Sequence, residues 1–139
     1  MSGTIELLAT ARSNGSPPIE RTTTAREVVL SKLDAISRLQ DGWDGPGSSH
    51  VGPPILEAYR YLVSRLSAPS ADLEPMPTPS GGIRMEWDRG DTNYVVELEP
   101  GGGMFLCSIG PTPDDDFEFE AERVDINTVI DFYVSGVVG

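Results

Sequence analysis

Hydrophobic spacing changes period after Ser67, and that change constrains the fold more than any motif does. Up to Ser67 the apolar residues recur every three or four positions, whereas from Leu73 to Glu120 they alternate. The first spacing suits one face of a helix and the second suits one face of a sheet. Val29, Leu33 and Ile36, with Val28 and Leu39 beside them, form the first helical stripe. Thr24 and Glu27 stand three apart in front of it as a capping box, and Asp41-Gly42 stops it, which predicts a helix over about 24–40. Pro53 and Pro54 fit a first helical turn, where amides lack intrahelical acceptors anyway. Ile55, Ala58, Tyr59, Leu62 and Leu66 supply the stripe of that second helix. The short, turn-rich connection predicts an antiparallel or steeply crossed pair, with Trp43 wedged between the two helices.

The alternating half begins at Leu73-Glu74-Pro75-Met76-Pro77, whose prolines lack amide donors and restrict it to an edge or a lead-in. Ile83, Met85 and Trp87 pair most simply with Tyr94, Val96 and Leu98 across a polar turn at 88–93. Gly101-Gly102-Gly103 reverses the chain into Met104–Ile109, and Phe117-Glu118-Phe119-Glu120 alternates once more. Asp125 is a plausible N-cap for a final helix with Ile126, Val129, Ile130 and Tyr133 on one face. The expected fold class is α+β, with two N-terminal helices, a four-stranded antiparallel meander and one C-terminal helix packed on the sheet. A length of 139 residues suits one domain, placed at 22–139 behind a flexible tail at 1–21 that is rich in small, polar and proline residues.

Two glycine-flanked tryptophans mark built corners: Gly42-Trp43-Asp44-Gly45 after the first helix, and Gly81-Gly82-Ile83-Arg84-Met85-Glu86-Trp87 at the start of the hairpin. Each ring reads first as a core anchor, with a partner-binding hot spot as the second reading. Asp44 reads as a turn cap.

Ten basic side chains face 22 acidic ones, for a formal charge of −12. Such a field repels phosphate backbones and anionic lipid, which argues against direct nucleic-acid or membrane binding. Asp114, Asp115, Asp116, Glu118, Glu120, Glu122 and Asp125 crowd into twelve residues with only Arg123 among them. That run reads as a solvated edge or loop, or as a docking surface for a basic partner. The single cysteine, Cys107, lies in an apolar stretch and fits a reducing cytoplasm. Neither a secretory leader nor a run of eighteen apolar residues is seen.

The chemistry-bearing residues are sparse. His50 is the one histidine and reads as a loop residue, because adjacency to Ser48 and Ser49 does not assemble a triad. One histidine and one cysteine cannot furnish a zinc site of nitrogen and sulfur ligands, and Asp114–Asp116 lack the spacing of a calcium loop. Gly101–Gly103 has no phosphate-binding lysine or serine behind it. Arg89-Gly90-Asp91 falls where a hairpin needs a turn. No catalytic, cofactor or metal residue is therefore assigned.

The pattern Leu39, Gly42-Trp43-Asp44-Gly45, Gly47, Pro54, Tyr61-Leu62, Pro77-Thr78-Pro79, Gly81-Gly82-Ile83 and Glu86-Trp87 resembles a set of small bacterial and phage-associated proteins, over about residues 36–98. That resemblance implies a helix-plus-sheet domain and antitoxin, immunity or defence-related partners, and carries over no catalytic residue. The leading expectation is a non-enzymatic, cytoplasmic protein-binding module, an antitoxin- or immunity-like partner of a basic protein. Its partner-binding residues are expected among Trp43, Asp44, Asp114, Asp115, Asp116, Glu118 and Glu120. Two alternatives stand beside it. One is an acidic nucleic-acid mimic that inhibits a DNA-binding enzyme, and the other is a small enzyme using carboxylates such as Glu86 and Glu97. An exposed edge strand or an apolar helix face could also support a homodimer.

Overall fold

The capping box forms. In a computed structural model, which describes residues 24–70 and 72–138, Thr24 Oγ1 accepts the Glu27 amide at 3.1 Å and Glu27 Oε1 accepts the Thr24 amide at 2.9 Å. Helix α1 runs Ala25–Ile36 and buries Val29, Leu33 and Ile36. It stops four residues short of the expected end. Ser37 Oγ donates to the Asp34 carbonyl, competing with the helical ladder. The amides of Arg38 and Leu39 then close tighter turns onto Ala35 and Ile36, and Leu39 packs against the core.

Helix α2, Pro53–Arg65, begins at its prolines as expected and buries Ile55, Leu56, Tyr59, Leu62 and Val63. Its last carbonyls are satisfied from α1: the Arg26 guanidinium donates to Val63 O at 3.1 Å, Ser64 O at 3.3 Å and Leu66 O at 2.7 Å. A cation at that end also suits the helix dipole. The expected tail at 1–21 lies outside the described residues.

Five strands follow rather than four. They are β1 (Glu74–Pro77), β2 (Ile83–Arg89), β3 (Thr92–Leu98), β4 (Met104–Ile109) and β5 (Phe117–Ala121), arranged in chain order in one antiparallel sheet. The extra strand is the proline-bearing lead-in, which is tolerated because it pairs on one side only, with β2. The central hairpin is longer than its apolar alternation. Asp88 pairs with Asn93 and Arg89 with Thr92, so the reversal contracts to Gly90-Asp91, with Gly90 at φ +62°. At the hairpin end the Asn93 side-chain Nδ2 also donates to Asp88 Oδ1 at 2.9 Å.

Helix α3, Ile126–Ser135, is capped by Asp125, whose carboxylate accepts the Asn127 and Thr128 amides. It ends at Gly136 in the left-handed region, at φ +81°. Its Phe132 ring meets Trp87 edge-on at 5.9 Å and Tyr94 at 5.7 Å. Trp87 is therefore the core anchor expected of it, 3% exposed and stacked on Tyr94 at 5.6 Å. Among the described residues its Nε1 has no hydrogen-bond partner, so ring packing is gained here at the expense of an N–H. Tyr59, fully buried in α2, has its hydroxyl 2.8 Å from the carbonyls of both Ile83 and Val96 and fastens the helical layer to the sheet.

The register divides the sheet into two unlike faces. Ile83, Met85, Trp87, Val96, Leu98, Met104 and Leu106 point to the helices and belong to the core. Arg84, Glu86, Val95, Glu97, Phe105, Cys107, Ile109, Glu118 and Glu120 point the other way, and none of them belongs to it.

Candidate functional site

Charge is partitioned along the chain, and the fold converts that into a partition in space. Residues 24–70 carry five acidic and five basic side chains, and residues 72–125 carry fourteen acidic and three basic. The helical layer is thus neutral while the sheet and its turns hold almost all of the net charge. Of the three cations in the sheet half, Arg89 is spent on the end of α3, donating to Tyr133 O at 2.7 Å and lying over the Tyr94 and Tyr133 rings. That contact keeps the arginine of Arg89-Gly90-Asp91 folded back onto the protein.

Arg84 is the cation of the outer face. Its Nε donates to Glu86 at 2.6 Å and its guanidinium lies 3.9 Å from Glu97. The two carboxylates considered for catalysis therefore do share one face, but with an arginine between them. Val95, directly opposite Glu86, is fully buried although it faces away from the helices and stands outside the main apolar cluster. Burial first, then the hydrogen bond and repulsion of Glu99, push the Glu97 carboxyl above its ordinary value, with Arg84 opposing. A carboxyl raised in this way contributes stability below its unfolded value of 4.5 that is lost as pH rises through the folded value. Glu97→Gln is accordingly expected to raise the melting temperature by a few degrees at pH 7 and to leave it unchanged at pH 4. Equal shifts at both pH values in thermal melts would refute the assignment.

The residues singled out for partner binding fall into two groups at opposite ends of the sheet. Trp43 and Asp44 sit in the α1–α2 connection, which is tied to the β1–β2 turn by the Ser49 amide donating to Pro79 O at 2.8 Å. Trp43 is not a wedge between helices. It is half-buried, stands outside the core, and its Nε1 donates to Ser49 O at 2.8 Å. Gly42, Gly45 and Gly47 all adopt positive φ around it, so the backbone curls about the ring instead of carrying it inward. The Asp44 carboxylate does not make the cap expected of it; its backbone amide donates to Ser48 Oγ at 2.9 Å. Ser48 Oγ in turn donates to Gly45 O, and His50 binds Asp41 through both its amide and its Nδ1, at 3.0 and 2.7 Å. Those contacts hold the Asp41 carboxyl below its usual value, the His50 side chain contributing most. Histidine and serine thus each serve the turn.

Asp114, Asp115 and Asp116 lie at the other end, in and after a single turn of 3-10 helix between β4 and β5. Asp115 accepts from Thr112 Oγ1 at 2.9 Å, and Asp116 accepts the Gly110 amide at 3.1 Å. Glu118 and Glu120 belong to β5 and point to the outer face, paired in register with Cys107 and Phe105. The acidic run is therefore a sheet edge with its approach turn. The hairpin brings Glu86 and Glu97 to the outer face as expected, and Arg84 between them is the residue the alternation also signalled. That face bears two shallow depressions. One of about 310 Å3 includes Glu74, Glu86, Asp88 and Met76, and one of about 200 Å3 includes Glu99, Phe105 and Glu120. Among the described residues, no cluster of three His, Cys, Asp or Glu is placed to hold a metal ion, and no helix is long and apolar enough to cross a membrane.

No protein-family model, curated protein or solved structure matches this chain.

Proposed function

We propose that this chain is a non-enzymatic protein-binding module that engages a basic partner through its sheet, in the manner of an antitoxin or immunity protein. The observation that carries this reading is the spatial separation of charge, fourteen carboxylates against three cations across 72–125 beside a neutral helical layer. One-sided charge of this kind steers a complementary surface into register and accelerates its encounter. The resemblance of the two glycine-tryptophan corners to phage-associated proteins supports the antitoxin-like part of the reading. The half-buried Trp43 ring, free of the core, is suited to a secondary contact.

The test is retention of partners from a lysate of its native cells, run side by side with a variant carrying Glu86→Gln, Glu118→Gln and Glu120→Gln. A basic protein held in stoichiometric amount by the native chain, lost by the variant and released as salt rises is the expected result. Co-expression should then suppress that protein's activity or toxicity. Identical retention by both chains, or no basic protein at all, would overturn the reading.

A further inference from the structure

The two edges of the sheet are finished differently. At β1 the chain places Pro75 and Pro77 at alternate positions, removing two amide donors from a four-residue strand. At β5 there is no proline, no lysine and no break in register, since Phe117–Ala121 pairs continuously with Ser108–Met104. Among the described residues nothing pairs with the far side of β5, so alternate main-chain donors and acceptors face outward there. Proteins ordinarily blunt such an edge. Here the devices in place are the carboxylates of Glu118 and Glu120, which repel some strands and attract others.

A second copy of this chain is the wrong occupant. Antiparallel pairing of two β5 edges in phase sets Glu118 and Glu120 opposite like charges, and slipping by one residue carries phenylalanines onto the acidic face. A strand from a basic protein meets neither obstacle. Its lysines or arginines would lie cross-strand from Glu118 and Glu120. On the opposite face its apolar residues would cover the half-buried rims of Phe117 and Phe119, extending a layer in which Phe117 already lies 6.1 Å from Phe132. Asp114–Asp116 before the strand and Glu122 after it prolong the same field along the strand axis.

We infer that the open edge of β5 is a strand-addition site, completed by a partner segment in which basic and apolar residues alternate. This deepens the binding-module reading and rests on it. Main-chain pairing would supply affinity, and the alternation of charge and ring on β5 would select the partner's phase.

Four synthetic nine-residue peptides test the inference by fluorescence anisotropy at low ionic strength. The first alternates lysine with valine, and the second has the same composition with its lysines in one block. The third and fourth are the alternating peptide N-methylated on every lysine amide or on every valine amide. In a strand, residues of one parity direct their amides to one edge, so one-sided pairing tolerates one methylated peptide and rejects the other. The expected result is binding of the alternating peptide, with about tenfold weaker binding of the block isomer. One methylated peptide should bind like its parent and the other not at all. Glu118→Lys with Glu120→Lys should weaken binding at least about tenfold. Both side chains are exposed, and an unchanged circular dichroism spectrum verifies the fold. If both methylated peptides bind like the parent, strand addition is overturned while an acidic docking surface survives. If no peptide binds while the native chain still retains a basic protein from the lysate, strand addition is overturned and the binding-module reading stands.

Discussion

Phe132→Ala is expected to destabilise the protein by about 4 kcal/mol, the middle of the range for truncating a buried aromatic. The ring is fully buried and touches Trp87, Tyr94 and Phe117, which come from three different strands. Alanine would leave a cavity at the point where α3 meets the sheet. The surrounding rings cannot close it, because Trp87 and Tyr94 are stacked on each other at 9° and Arg89 also lies over the Tyr94 ring. Urea denaturation should show the lower midpoint, and hydrogen exchange should show the amides of α3 opening before those of β2 and β3. A loss below about 1 kcal/mol would mean that α3 contributes little to the fold, contrary to its packing.

Gly82→Ala is the second large effect, expected to cost about 3 kcal/mol as overpacking against backbone. A Cβ at this position would stand 2.4 Å from Leu98 O and 3.2 Å from Thr78 Oγ1. The obstacle is main chain of the neighbouring strand, so no rotamer change relieves it. Movement is also resisted because the Gly82 amide donates to Thr78 Oγ1 at 2.9 Å and its carbonyl accepts the Thr78 amide at 3.0 Å. Gly45→Ala is the informative contrast. Nothing lies within 4 Å of its Cβ, and only its φ of +97° is penalised, at about 1 kcal/mol. Equal losses at the two positions in calorimetry would show that close approach is not what makes Gly82 a glycine.

Much of the fold was legible because its signals are local. The Thr24–Glu27 box, the prolines opening α2, Asp125 before α3 and the alternation of Ile83, Met85 and Trp87 each act within a few residues. The errors arose where a distant neighbour decides. Glu74–Pro77 becomes a fifth strand only because β2 supplies its partner. Asp88 and Arg89 look like turn residues, yet both are paired in the ladder and Arg89 is engaged by the end of α3. Trp43 could not be placed from its glycines, since they allow a curl around the ring as readily as a plunge inward.

The candidate site divides in the same way. Composition alone established an acidic chain with a carboxylate run at 114–125, and alternation established that Phe117–Glu120 is a strand, because charge and period are properties of neighbouring residues. Only the tertiary structure decided that this strand is, among the described residues, an open edge while the other edge is guarded by Pro75 and Pro77. It also set Arg84 between Glu86 and Glu97 on one face outside the core. Strand order and the choice of which face the helices cover follow from burial summed over the whole chain, and no short segment contains that sum.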